Sequence, residues 1–267
     1  METNTKGSSG IKMPRLFSSA VLKYLAAFFM LIDHVAVVML QVVNAAKNTG
    51  AHGNTESLIA IYRIMRHIGR FSFPVFCFFI VEGYCKTKSR AKYLIKLIVF
   101  GSISQIPFEK ALFNEATLSN GYYTNVFFTL ALGLMSIWFI DAFLFGKYVE
   151  IPQRIKNWPV AVRGVIVAAS VGALCYISDY FHTDYRYGGI IMIIVFFLLW
   201  DIPEAACGAA YAAICSYNSA EVWSLPAIIM LMMYNGNRGR QSKYFFYVFY
   251  PLHLTLLWII KEMLIKS

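Results

Sequence analysis

Long apolar runs separated by short polar stretches dominate the 267 residues of this chain. Nine runs are candidates for crossing a bilayer: 21 to 41, 64 to 84, 93 to 108, 125 to 145, 160 to 178, 187 to 200, 203 to 217, 222 to 234 and 244 to 264. A spanning helix needs about 20 mostly apolar residues, and the shorter runs must tilt or pair. The pattern predicts an all-α, polytopic transmembrane helical bundle of about nine spans, within a range of eight to ten. Glycine and proline punctuate the runs without forming linkers, and no strong internal repeat relates the halves. Residues 21–267 therefore read as a single bundle domain. Residues 1–20 are polar, basic and rich in Gly and Ser, and read as a disordered cytoplasmic arm rather than a signal peptide. The longest connections, 44 to 62 and 109 to 124, fall outside on this topology and have room for an acceptor.

Composition sharpens this picture. With 58% hydrophobic and 14% charged residues, the chain has too little polar surface to coat a soluble globule. Its net charge of +10 is spread by side of the membrane rather than gathered on one face, which argues against nucleic acid. With the N-terminus cytoplasmic, the inner segments hold sixteen of the 24 Lys and Arg residues. These are Lys6, Lys12, Arg15 and Lys23, then Lys86, Lys88, Arg90, Lys92 and Lys96, then Lys147, Arg154, Lys156 and Arg163, and finally Arg238, Arg240 and Lys243. That is the bias the positive-inside rule requires, and it makes the chain a multi-pass protein of a cell membrane. The five cysteines include no C-x-x-C pair and have no histidine at ligand spacing, so no metal site is expected.

Ionisable residues inside the runs carry the functional signal. Asp33 and His34 sit at the middle of the first span, where a carboxylate costs roughly 2.5–3.5 kcal/mol on insertion scales. Neighbours on a helix point about 100° apart, so the two address different partners. Arg63, Arg66, His67 and Arg70 recur at spacings of three and four. Either they snorkel to outer head groups or, at Arg70, hold Asp33 or an anionic substrate group. His253, in the proline-broken Phe249-Tyr250-Pro251-Leu252-His253, lies nine residues beyond Tyr244, and His34 lies thirteen beyond Val21. Both reach roughly 14–20 Å from the inner edge, so they can line one cavity or serve as interhelical hydrogen-bonders. Glu82 closes the second span, pairing with its basic loop or contacting substrate. Within that loop Lys88 and Arg90 either follow the positive-inside bias or dock donor phosphates. Gln105, Asn125, Asp179 and Tyr180 fall at outer ends of spans, where an acceptor would arrive, and equally suit interhelical hydrogen bonds or turns.

Together these segments resemble the TraX family. The resemblance is carried by Leu22-Lys23-Tyr24-Leu25, Ile32-Asp33-His34, Ile68-Gly69-Arg70-Phe71-Ser72-Phe73-Pro74-Val75-Phe76, Glu82-Gly83, Ser104-Gln105-Ile106-Pro107-Phe108, Asn125 through Gly133, and Phe249 through His253. They occur in order over residues 21 to 260. The family takes its name from a conjugation protein that acetylates the N-terminus of pilin, and it is related to the wider transmembrane acyltransferases.

The resemblance implies a bacterial membrane enzyme that takes acetyl from acetyl-CoA at the cytoplasmic face and passes it to an acceptor in or beyond the membrane. The acceptor is left open among a peptide amine, a glycan and a small metabolite. In the wider group an early-span histidine serves catalysis, and His34 matches it. The expected catalytic set is His34, Asp33, Arg70 and His253, with Arg70, His253, Tyr250 or Gln105 offered to the developing oxyanion. Glu82, Gln105, Asn125, Asp179, Tyr180 and Tyr250 are the substrate-binding candidates, and Lys88 and Arg90 face the CoA. The alternative is a proton-coupled transporter or flippase, which also needs midplane charges and broken helices.

Overall fold

The computed structural model describes residues 14–48, 55–113, 123–242 and 244–266. Most of the arm, including Lys6 and Lys12, lies outside these residues, as do Lys243 and parts of the two longest predicted connections, 44 to 62 and 109 to 124. The helices are α1 (Ser19–Asn48), α2 (Thr55–Gly69), α3 (Ser72–Lys86), α4 (Arg90–Leu112), α5 (Val126–Ile140), α6 (Gln153–Lys156), α7 (Val160–Tyr180), α8 (Arg186–Leu198), α9 (Pro203–Tyr217), α10 (Leu225–Met232) and α11 (Phe245–Lys266). A π-turn (Asp141–Phe145) extends α5 and a 3₁₀ turn (Ser219–Ser224) precedes α10. Among the described residues extended pairing is confined to two isolated bridges, Phe17 with Tyr234 and Thr124 with Thr183.

Each of the nine predicted runs falls on helix. Among the described residues, five helical stretches are long and apolar enough to cross a membrane: Ser19–Ala46, Glu56–Lys86, Val126–Phe145, Val160–Tyr180 and Phe245–Lys266. Arg186–Leu198 and Ser219–Met232 are apolar but shorter.

Helix α3 is the hub. It is apolar around most of its circumference, buries residues from Ser72 to Tyr84, and packs against α1, α5, α8 and α10, as a helix without a polar face must. Around it α1 packs on α2 and α11, α4 on α11 and α5, and α8 on α5 and α9. By contrast α7 buries Val167, Leu174 and Ser178 and turns Val160, Val165 and Tyr176 outward, the pattern of a lipid-facing helix.

Local chemistry sets the boundaries. Asn125 caps α5, its Oδ1 accepting from the Phe127 N–H at 3.1 Å. At the far end Asp141 accepts from Tyr84 Oη (2.7 Å) and from the backbone N–H of Lys147 (2.8 Å) and Tyr148 (3.0 Å), while Gly146 takes the left-handed conformation that closes the π-turn. The end of the arm is tied down. The N–H groups of Leu16 and Phe17 donate to Met233 O, and those of Ser19 and Ala20 donate to Asn237 O and Arg238 O. Satisfying α1's first N–H groups in this way draws residues 16–20 out of the arm and into the bundle.

Pro74 breaks the second predicted span. It has no N–H to offer the Arg70 carbonyl and its ring crowds that position, so α2 stops at Gly69. Tight bonds from Arg70 N to His67 O and Phe71 N to Ile68 O, both 3.2 Å, carry the chain across before α3 resumes.

Candidate active site

Helices α1 and α11 bring the two span histidines together. His34 Nδ1 and His253 Nε2 are 2.7 Å apart, with nearly parallel rings (5°) and centroids 5.0 Å apart. Both are buried, at 7% and 4% exposure. His253 Nδ1 lies 2.7 Å from Phe249 O. A carbonyl only accepts, so that nitrogen carries the proton. In the neutral pair His253 Nε2 is then the acceptor and His34 Nδ1 the donor. The chain of two bonds leaves the lone pair of His34 on Nε2. Tyr250 lies edge-on to His34, with centroids 6.1 Å apart, and its buried hydroxyl finds no acceptor for its proton among the described residues.

A charged shell surrounds the pair, and its pairing differs from the one predicted. Asp33 is bound by Arg66, and Arg70 donates to Glu221 Oε1 at 2.7 Å. The break at Pro74 explains the exchange. Arg66 and Gly69 lie three apart on unbroken helix and face α1, where the absence of a side chain at Gly69 admits the Asp33 carboxylate; a Cβ there would overlap it. Arg70, in the break, turns to the 3₁₀ segment instead. Glu221 is fully buried and sits just before a predicted span, outside the runs that the sequence singles out.

The loop between α7 and α8 covers this shell. His182 (φ 45°), Tyr185 (φ 64°) and Arg186 (φ 41°) all take positive φ, which costs non-glycine residues. The strained turn places Asp184 and Tyr185 in the wall of the pocket that His34 lines, with the Tyr185 ring stacked on Phe73. Burial pushes the Asp184 carboxyl up, and the charges of Arg66 and Arg70 pull it back down. Tyr185 is a second site residue that sequence reasoning misses, since nothing in a sequence announces a left-handed tyrosine.

Three spaces that share lining residues lie between the histidine and the lysine-rich segment before α4. A groove of about 510 Å³ is walled by Lys23, Glu82, Lys86, Lys88, Lys92 and Lys96. Lys23, Phe79, Tyr93 and Lys96 are shared with a cavity of about 310 Å³ that runs inward past Leu97 and Phe127. Met30, Phe76, Val126 and Tyr250 are shared in turn with a pocket of about 40 Å³ that contains Asp33, His34, Ser72 and Asp184.

The remaining predicted residues lie elsewhere or hold the fold. Lys88 lines the groove, whereas Arg90 lies over the Tyr84 ring at 5.4 Å and does not. Glu82 accepts from Lys86 Nζ (2.7 Å) and Tyr234 Oη (2.5 Å), so it anchors the groove wall. Gln105 donates to Glu109 Oε1 (2.7 Å) and Tyr123 O (2.6 Å) and accepts from Asn125 Nδ2 (2.8 Å), which also donates to Gly101 O (2.8 Å). Those two amides are a latch between α4 and α5, with neither in the three spaces. Asp179 pairs with Arg186 at 3.3 Å and Tyr180 is 61% exposed, both on the outer surface of α7. Among the described residues no three His, Cys, Asp or Glu side chains converge to hold a metal.

Fold and site together define an apolar helical bundle with a buried histidine pair and a lysine-lined groove. The family model described as "TraX protein" matches residues 18–261, and the chain belongs to that family. It is also similar to the "Probable fimbrial assembly protein FimC, serogroup H1" of Dichelobacter nodosus, 29% identical over 269 residues that cover 90% of this chain and 94% of that protein. No solved structure matches.

Proposed function

We propose that this protein is a multi-pass acyltransferase of the bacterial cytoplasmic membrane. It moves an acetyl or short acyl group from acetyl-CoA at the cytoplasmic face to an amine or hydroxyl acceptor in or across the membrane. The observation that carries this reading is the series of adjoining spaces, each sharing lining residues with the next, from the lysine groove to His34. Lys23, Lys88 and Lys96 suit the nucleotide phosphates of CoA, and the 310 Å³ cavity has the size of a ligand site. The positive-inside bias supports a cytoplasmic position for the groove.

In the reaction, Nε2 of His34 takes the proton of the acceptor as its nitrogen or oxygen attacks the thioester carbonyl. The tetrahedral intermediate collapses by breaking the carbon–sulfur bond, and the proton passes to the departing thiolate, giving free CoA. The unpaired Tyr250 hydroxyl is the donor suited to the oxyanion. His253 acts through His34 by fixing its tautomer, and Asp33 and Arg70, each paired across helices, hold the shell in place.

The relative from Dichelobacter nodosus is named for fimbrial assembly, which makes a surface-fibre subunit one acceptor to test. The experiment is thiol release from acetyl-CoA by purified protein in detergent. Release should be catalysed by wild type and fall by about 10²–10⁴-fold in His34→Ala. Failure of wild type to bind CoA, with proton-linked uptake in liposomes, would favour a transporter instead.

A further inference from the structure

The two inner spaces differ greatly in size and have four lining residues in common. His34 lines the pocket of about 40 Å³ and not the cavity of about 310 Å³. On the acyltransferase reading, a thioester that reaches His34 from the larger cavity passes between Met30, Phe76, Val126 and Tyr250, the four residues that line both spaces and form the neck between them. Beyond it the space suffices for roughly three or four water-sized groups. The residues that line it and not the larger cavity include Asp33, Ser72 and Asp184, the last beside the strained Tyr185 turn. An aliphatic chain gains nothing against carboxylates and would strip them of their polar contacts.

We propose that Phe76 limits the acyl chain this protein transfers to two or three carbons, with Met30 as its adaptable neighbour. This inference rests on the acyltransferase reading. Phe76 is the rigid member of the neck, whereas Met30 has rotatable bonds and yields to what touches it. The neck passes the pantetheine thioester and an acetyl or propionyl group, and a longer chain jams between Phe76 and the charged wall.

The test is thiol release from acetyl-, propionyl- and hexanoyl-CoA by the full-length protein. Wild type should use hexanoyl-CoA at least about tenfold more slowly than acetyl-CoA, and Phe76→Leu should raise the hexanoyl-to-acetyl ratio at least tenfold. Met30→Ala should raise it in the same direction. Equal rates for hexanoyl- and acetyl-CoA in wild type overturn the limit without any variant. So does an unmoved ratio in variants whose melting temperatures match wild type. Absence of acetyl-CoA turnover in wild type overturns the acyltransferase reading itself, a result distinct from both.

Discussion

The order of protons along Phe249 O, His253 and His34 makes His253 the residue whose replacement is most instructive. His253→Ala should slow thiol release roughly 10²-fold by freeing the His34 ring, because a small misplacement of a reacting group costs that much. His253→Gln keeps an oxygen that accepts from His34 Nδ1 and should recover part of the loss, which a merely space-filling role for His253 would not allow. Arg70 sets a different experiment. Removing it leaves the fully buried Glu221 carboxyl without its cation, so Arg70→Ala should cost roughly 3–5 kcal/mol, measured as loss of the folded fraction in detergent. Arg70→Met combined with Glu221→Leu should be more stable than Arg70→Ala, since no orphan charge remains. The histidines were legible from depth alone, as two ionisable groups at matched height on distant helices. The partners of Asp33 and Arg70 were not, because helical periodicity carries through Gly69 and Arg70 as though the helix continued.

At the scale of elements, the close approach of α1 and α2 depends on one missing side chain. Gly69→Ala forces a methyl group against Asp33 and should destabilise by about 1–3 kcal/mol while weakening thiol release, both readable from one purified sample. The α4–α5 latch behaves differently. Asn125→Ala removes a helix cap and should lower stability by about 1 kcal/mol with an unchanged KM for acetyl-CoA, because Asn125 lies outside the route to His34. All nine predicted runs fall on helix because apolar length is a strong signal. Gln105 and Asn125 read as binding residues in the sequence because an amide at a span end looks the same whether it greets a ligand or a neighbouring helix. The two halves of the Glu56–Lys86 stretch read as one because Pro74 lies at the start of α3, where proline is ordinary, and only the turn before it reveals the break.

For the whole molecule, the proposed direction of transfer requires the groove and the α7–α8 loop to face opposite compartments. In a background lacking the native cysteines, Lys88→Cys should react with a membrane-impermeant maleimide only after the cytoplasmic side is opened, and Asp179→Cys in intact cells. Labelling of both from one side would reject the route. The chemistry also depends on chain length. His34 and His253 are separated by 219 positions, one in the first helix and one in the last. During synthesis the first helix stands in the bilayer long before its counterpart leaves the ribosome, and in that interval the imidazole has no tautomer imposed on it. If the proposed transfer holds, an unfinished or nicked copy lacking the final segment would be an inert passenger rather than a leaky thioesterase, which would spare thioester from futile hydrolysis while the protein is being made.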